Sequence, residues 1–296
     1  MSKRFLLSIL LPLLTAQVSW ADPAWLTYDS ERRVDFLHGG GYQRDEYHWF
    51  LENTGQPSRL FLNGVFVSQE EGTNDVGIVQ AWAIHYGGGS IAVIDVTSAH
   101  AYRIKQVAAL VSGAETRLHG ISTLLNPAVV SAGISNRVAT GYKIIVITTG
   151  FSYPDSSLSN ACRYAELSGA MLFCPVPNVG VSIDEVPDYP SSWAGCIASI
   201  VPVTSTDRNG NLYGPNAAAW GELVVGAPGR NIVASGTYSS GTSYAAPIVA
   251  GCMSLLMEHR PGLTLAEYRY ALWSSAVPAE GINRIDAVGL LQSFDP

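Results

Sequence analysis

The segment Gly241 to Gly251 (GTSYAAPIVAG) places a serine where its hydroxyl could act as a nucleophile. Ser243 follows a loop rich in Ser, Thr and Gly, and it precedes an apolar run that predicts a buried helix. Pro247 falls in the first turn of that helix, where its missing N–H is harmless. The start of a helix offers free backbone N–H groups and the positive end of the helix dipole. A serine at this place could be activated as a nucleophile, although most serines at helix starts are simple caps.

The same segment resembles the nucleophile motif of subtilisin-like serine proteases, Gly-Thr-Ser-x-Ala-x-Pro-x-x-Ala-Gly, at every fixed position. Gly226 to Gly229 and Asn231 to Val233 resemble the family's turn before the nucleophile, and Trp49 to Gln56 resembles the opening segment of secreted members. The similarity covers roughly residues 45–290. It implies a secreted serine endopeptidase that hydrolyses peptide bonds through an Asp-His-Ser triad and an acyl-enzyme intermediate.

Asp95 ends the run Ile91 to Asp95 (IAVID), which predicts a buried strand. An aspartate at this place can simply cap the next turn. The resemblance instead implies that Asp95 is the acid of the triad. The family usually has Asp-Thr-Gly or Asp-Ser-Gly here, whereas this chain has Asp95-Val96-Thr97.

The resemblance assigns the general base to His119, because His119-Gly120 matches the family's His-Gly motif. His119 also gives the chain order acid, base, nucleophile that is typical of the family. His100 follows Asp95 more closely than expected for the base, and it fits a second histidine that often follows the acid in the family. The residues after His119 depart from the family's Gly-Thr-His-Val-Ala-Gly pattern.

Asn178, in Pro177-Asn178-Val179-Gly180, resembles the family's Ala-Gly-Asn-x-Gly segment. An asparagine before glycine is also common in turns. The resemblance implies that the Asn178 amide and the Ser243 N–H form the oxyanion hole. Only 59 residues separate His119 from Asn178, and this short interval predicts a cleft that lacks one lining strand.

The elements that must position these side chains alternate between strands and helices. Apolar runs predict buried strands, and longer runs predict helices at Thr242 to His259 and Leu265 to Ser274. This pattern predicts an α/β fold with three layers, a mostly parallel sheet with helices on both faces. Active sites in such folds lie at the carboxyl ends of the strands, where Asp95 and Asn178 are expected.

The first 21 residues read as a signal peptide, with Lys3 and Arg4 before the apolar run Phe5 to Leu14 and a cleavage site after Ala21. We expect a short extension over residues 22–41 and the peptidase domain over residues 42–296. The apolar run has half the length of a membrane span. These features predict secretion to the extracellular space or periplasm, without membrane attachment after cleavage.

The composition narrows the possible partners. The net charge is −7 and no basic cluster is present, which argues against nucleic acid and leaves protein or peptide substrates. The chemistry is expected to need no metal or other cofactor, and structural calcium is left unassigned, as is the oligomeric state.

Disulfide pairing remains open among Cys162, Cys174, Cys196 and Cys252, and a buried free thiol is favoured for the last.

Two other functions compete with this interpretation. An α/β-hydrolase is disfavoured, because Ala245 replaces the second glycine of its Gly-x-Ser-x-Gly elbow and His259 precedes Asp286. The alternative that remains is a weak or inactive subtilisin-like domain that serves as a binding or scaffold module.

Overall fold

The computed structural model describes residues 26–28, 34–36, 50–51, 58–62, 65–70, 76–85, 87–95, 97–113, 116–118, 126–214, 223–235, 237–279 and 281–295. The predicted signal peptide lies outside these residues. The chain divides into two units, Met1–Tyr42 and Gln43–Pro296. In the first unit the described residues form one antiparallel pair, β1 (Leu26–Tyr28) and β2 (Val34–Phe36).

The second unit is built on a large sheet. The strands of this unit, which are not all part of that sheet, are β3 (Ser58–Leu62), β4 (Val65–Glu70), β5 (Ile91–Ile94), β6 (Thr116–Leu118), β7 (Ile144–Ile147), β8 (Met171–Pro175), β9 (Ile200–Thr206), β10 (Val225–Pro228), β11 (Ile232–Ala234), β12 (Thr237–Ser239), β13 (Val277–Ala279) and β14 (Ile282–Arg284). Among the described residues, eight strands pair in the order β13-β14-β10-β9-β8-β7-β5-β6. All neighbours in this sheet are parallel except β13 and β14. The pairs β3–β4 and β11–β12 are separate antiparallel hairpins.

Helices cover both faces of this sheet. They are α1 (Ile78–Trp82), α2 (Ser98–Ser112), α3 (Pro127–Ala139), α4 (Ser156–Leu167), α5 (Thr242–His259), α6 (Leu265–Ser274) and α7 (Ala287–Gln292). One face carries α3 packed on α4, and the other carries α2 packed on α5. Strands β5 and β7 are buried along their whole length because both of their faces are covered. The predicted α/β fold with a mostly parallel sheet is confirmed.

Helices α2 and α3 were not expected from the sequence. Local signals account for α3. The Asn126 side chain accepts the N–H of Ala128 at 2.9 Å, and Pro127 occupies the first turn. Buried apolar residues then recur with helical spacing at Val130, Ile134 and Val138. The segment is therefore a capped helix in the layer that covers the sheet.

The four cysteines all lie among the described residues, and all are free thiols. Three of them are buried, and burial raises the pKa of Cys162 to about 12. In the described part of the chain, no helix is long and apolar enough to cross a bilayer. No cluster of three or more histidine, cysteine or acidic side chains suited to a metal ion occurs among the same residues.

Candidate active site

Asp95 follows the last residue of β5, and its side chain is fully buried at the carboxyl edge of the sheet. Its carboxylate lies among three polar partners. Oδ2 is 2.5 Å from Nδ1 of His100 and 2.5 Å from Oγ1 of Thr148, which follows the neighbouring strand β7. Oδ1 accepts the backbone N–H of Thr97 at 3.1 Å. The end of β5, the end of β7 and the turn into α2 therefore all position this carboxylate.

His100 lies in the first turn of α2. The hydroxyl of Thr97 caps the helix by accepting the N–H of His100 at 3.3 Å. The side chain of His100 is 25 % exposed, so one side of the imidazole faces Asp95 while another remains open to solvent. Its ring meets the ring of Tyr244 edge-on, with the centroids 5.5 Å apart. Because Tyr244 follows Ser243, this contact brings His100 to the first turn of α5.

A close approach of α2 to α5 supports this arrangement. Gly251, in the middle of α5, faces Val111 near the end of α2. A Cβ added at Gly251 would lie 2.6 Å from Cγ1 of Val111, so only a glycine permits this distance between the two helices. The second glycine of the GTSYAAPIVAG segment therefore helps to hold the helix of His100 against the helix of Ser243.

Ser243 is the second residue of α5. Gly241 precedes the helix with a φ of 140°, a conformation that L side chains rarely adopt. Its N–H donates to the carbonyl of Gly229 at 2.7 Å, which ties the loop before the helix to the end of β10. The Ser243 N–H has no intrahelical acceptor, because the first N–H groups of any helix point out of its end. Ser243 is partly exposed.

Asn178 follows β8 and contacts the same helix start. Its Oδ1 accepts the N–H of Thr242 at 2.9 Å. The hydroxyl of Thr242 in turn donates to the carbonyl of Val176 at 2.6 Å. Because the amide oxygen is engaged by a backbone donor, the amide NH₂ is the end left to donate to another group. A donor from Asn178 and the free N–H of Ser243 therefore flank the same end of α5.

The charge state of Asp95 follows from these contacts. Burial raises the pKa of the carboxyl group, but the hydrogen bonds from His100 and Thr148, the positive charge of a protonated His100 and the Thr97 N–H together hold it below its ordinary value. The carboxylate is therefore ionised at neutral pH. A buried anion against Nδ1 keeps the proton on that nitrogen and leaves Nε2 of His100 as the basic atom.

Asp95 contacts His100, whose ring meets Tyr244 of α5, and Asn178 accepts the N–H of Thr242 at the start of the same helix. His119 lies outside the described residues, and the histidine in contact with Asp95 is His100. Sequence reasoning set His100 aside because it follows the acid so closely. A usable signal was present, since the buried positions Ala101, Ile104, Ala108 and Val111 after His100 have the spacing of an amphipathic helix.

The family model of subtilases matches residues 89–289, a segment that contains Asp95, His100, Asn178 and Ser243. The chain belongs to the subtilase family. Among characterised subtilases, thermitase of Thermoactinomyces vulgaris is 31 % identical over 171 residues, which cover 56 % of this chain and 57 % of thermitase. Subtilisin DY of Bacillus licheniformis is 30 % identical over 151 residues, 53 % of its length. The chain thus spans about half the length of these two relatives. It covers 76 % of subtilisin BL of Lederbergia lenta at 28 % identity.

Solved subtilase structures share the fold. A cold-adapted subtilisin-like serine proteinase superposes with a TM-score of 0.60 at 18 % identity, over 82 % of this chain and 98 % of that protein. MycP1 with its N-terminal propeptide removed gives a TM-score of 0.63 at 18 % identity, over 75 % of this chain and 96 % of that protein. The observed layers and strand order are therefore those of the subtilase fold.

Proposed function

We propose that this chain is a serine endopeptidase that cleaves protein or peptide substrates with Asp95, His100 and Ser243 as its catalytic triad. The observation that carries the proposal is the 2.5 Å contact between Asp95 and His100 beside the first turn of α5. His100 replaces His119 in the role that the sequence analysis gave to the latter. Membership of the subtilase family supports the same reaction class.

Each residue has one task in the proposed reaction. Nε2 of His100 removes the proton from Oγ of Ser243 as that oxygen attacks the substrate carbonyl carbon. Asp95 holds the imidazole in the required tautomer and stabilises the imidazolium that forms. The imidazolium then gives its proton to the leaving amine, the C–N bond breaks, and Ser243 keeps the acyl group. Water repeats the attack with His100 again as base, which releases the acid and restores the serine.

The oxyanion of each tetrahedral intermediate is bound by two donors that are already in place. These are the NH₂ group of Asn178, whose orientation is set by the bond from Thr242, and the N–H of Ser243 at the end of α5. Preorganised donors of this kind lower the barrier because they need no reorganisation as the charge develops. These groups supply nucleophile, base and charge stabilisation, so no step is assigned to a metal or other cofactor.

The proposed enzyme is exported. The support is the N-terminal sequence, whose basic head, short apolar run and small residues Ser19 and Ala21 have the form of a cleavable signal. Cleavage would leave a short extension before the peptidase domain, with the mature protein outside the cytoplasm. N-terminal sequencing of the exported protein tests this part of the proposal.

Covalent labelling tests the proposed function. A fluorophosphonate reacts only with a serine that is activated by a base and an oxyanion hole, so the wild-type protein should be labelled on Ser243. The matched control is Ser243→Ala, which should remain unlabelled. A folded wild-type protein that resists the probe would instead support a binding or scaffold module.

A further inference from the structure

Asp188 is an acidic residue beside the site that the proposed reaction does not use. It lies in the loop that connects β8 to the short 3₁₀ helix Ser191–Trp193. Its carboxylate packs directly on the backbone of Gly150, just beyond the end of β7, and a Cβ added at Gly150 would overlap both carboxylate oxygens. Gly150 therefore leaves the space that this acid occupies.

The backbone on both sides of Asp188 is held firmly. Its N–H donates to Oγ of Ser192 at 2.9 Å. The next residue, Tyr189, pairs with Phe151 through two backbone bonds of 2.9 and 2.8 Å. The first bond joins Asp188 to the 3₁₀ helix, and the pair of bonds joins its neighbour Tyr189 to the segment after β7, so the position of the carboxylate is fixed.

Within the described part of the chain, no cation or hydrogen-bond donor is paired with the Asp188 carboxylate. The group is only partly exposed, and burial raises its pKa to about 7. Desolvation of a carboxylate is unfavourable unless an opposite charge or a donor compensates for it. A carboxylate that is held in place and lacks a partner is suited to bind a cation from outside the chain.

The end of β8 connects the loop of Asp188 to the oxyanion donors. Oγ of Ser191, three residues after Asp188, donates to the carbonyl of Pro175 at 3.2 Å. The next carbonyl, that of Val176, accepts the hydroxyl of Thr242 at 2.6 Å, and Oδ1 of Asn178 accepts the N–H of Thr242 at 2.9 Å. The loop of Asp188 and the oxyanion donors therefore both contact the end of β8, so a long side chain on the acyl residue can extend from one to the other.

We infer that Asp188 binds the side chain of the substrate residue whose carbonyl Ser243 attacks, and that it selects lysine or arginine there. This inference rests on the proposed function. The long aliphatic stems of both side chains can cross the space between the oxyanion site and Gly150, and their charged ends can pair with the carboxylate. The enzyme is accordingly a protease that cleaves after basic residues.

A set of matched peptides tests the selectivity. The peptides share one sequence and one fluorogenic amide leaving group, and their acyl residue is Arg, Lys, Met or Gln. The wild-type kcat/KM for Arg and Lys should exceed that for Met and Gln by at least about tenfold. Asp188→Asn, with Asp188→Ser as a second variant, should bring this ratio close to one. Asp184→Asn, which removes an exposed charge from the same loop, should keep the wild-type ratio.

A binding measurement separates this inference from catalysis. In the Ser243→Ala background, p-aminobenzamidine should bind and gain fluorescence, and the further change Asp188→Asn should weaken its binding at least tenfold. If fluorophosphonate labels Ser243 but neither basic preference nor amidine binding depends on Asp188, this inference is wrong and the proposed function stands. If Ser243 is not labelled but amidine binding depends on Asp188, the cation site stands and the proposed function fails.

Discussion

His100 follows Asp95 by only five residues, yet Nδ1 of its imidazole lies 2.5 Å from Oδ2 of the Asp95 carboxylate. Thr97 bridges the two, because its N–H donates to Asp95 and its hydroxyl accepts the N–H of His100. Acid and base are thus joined by a single capped turn between β5 and α2. Measured from His100, 78 residues lead to Asn178, and this longer interval includes β6 and α3. The short interval counted from His119, and the missing cleft strand inferred from it, therefore depended on the choice of histidine.

Asp95 and His100 should behave as one functional unit. Asp95→Ala and His100→Ala should each lower kcat by roughly 10⁴-fold. The kcat of the double variant should be only slightly lower than that of the less active single variant. The reason is that neither residue has its catalytic role without the other. Steady-state kinetics with a peptide amide measures all three variants. Losses that simply multiply would show that the two residues act independently.

Thr148 should act as a positioning residue for the acid. Thr148→Val keeps the shape of the side chain but removes the hydroxyl that donates to Oδ2 of Asp95. We expect kcat to fall by about tenfold with little change in KM, because one hydrogen bond to a charged group is lost. Thr148→Ser retains the hydroxyl and should recover most of the rate. A loss in Thr148→Ser with none in Thr148→Val would mean that packing of the methyl group matters instead.

The preference for basic substrates should depend on pH. Burial raises the pKa of Asp188 to about 7, and only the ionised carboxylate attracts a cation. Cys174, which also faces Asp188, stays protonated because burial and nearby negative groups raise its pKa well above the ordinary value. The ratio of kcat/KM for the Arg and Met peptides should rise about tenfold between pH 6 and pH 8. Both peptides are cleaved with His100 as base, so any pH dependence that comes from His100 cancels in this ratio.

The control for this pH profile is Asp188→Asn, whose Arg-to-Met ratio should stay flat over the same range. A wild-type ratio that is equally flat, or that falls as the pH rises, would contradict the assignment of Asp188 as the titrating group.

Asp188 should also affect stability. Its pKa in the folded state, about 7, lies above the ordinary value of 3.8, so the folded protein holds this proton more tightly than the unfolded chain. The free energy of unfolding therefore decreases as the pH rises from about 4 to 7. Asp188→Asn removes this decrease in the free energy of unfolding. In the Ser243→Ala background, the Asp188→Asn protein should be more stable than Ser243→Ala alone by about 1 kcal/mol or more at pH 8, with a much smaller difference at pH 4. Thermal denaturation in the Ser243→Ala background, which prevents self-digestion, measures both values.

The parts of the fold that the sequence predicted well are those with strong local patterns. Helix α5 begins and ends at the predicted residues, Thr242 and His259. The apolar run follows Gly241, whose φ of 140° is a conformation that side-chain-bearing residues rarely adopt, so the helix cannot extend further back. Strand β5 ends at Ile94, one residue short of the predicted end at Asp95. In both cases, the residues that define the element also determine where it ends.

The base could not be assigned as directly, because its identity depends on a contact between two elements. A two-residue match at His119-Gly120 outweighed the helical pattern after His100. The motif is short, whereas the geometry depends on the Thr97 cap and on the packing of α2 against Gly251 of α5. The sequence also contained no signal for the proposed role of Asp188, since that role depends on the contacts of its loop with the end of β8 and with Gly150. Neither relationship can be read from the spacing of residues along the chain.

The most direct test of the triad compares two histidine variants in one assay. His100→Ala and His119→Ala are purified in parallel, checked for folding by circular dichroism, and timed for fluorophosphonate labelling of Ser243 by intact mass. The His100→Ala variant lacks the base that contacts Asp95, so its Ser243 should be labelled at least 10³-fold more slowly than that of the wild type. The His119→Ala variant should be labelled at close to the wild-type rate. The opposite result, with His119→Ala inactive and His100→Ala reactive, would contradict the assignment of His100 as the catalytic base.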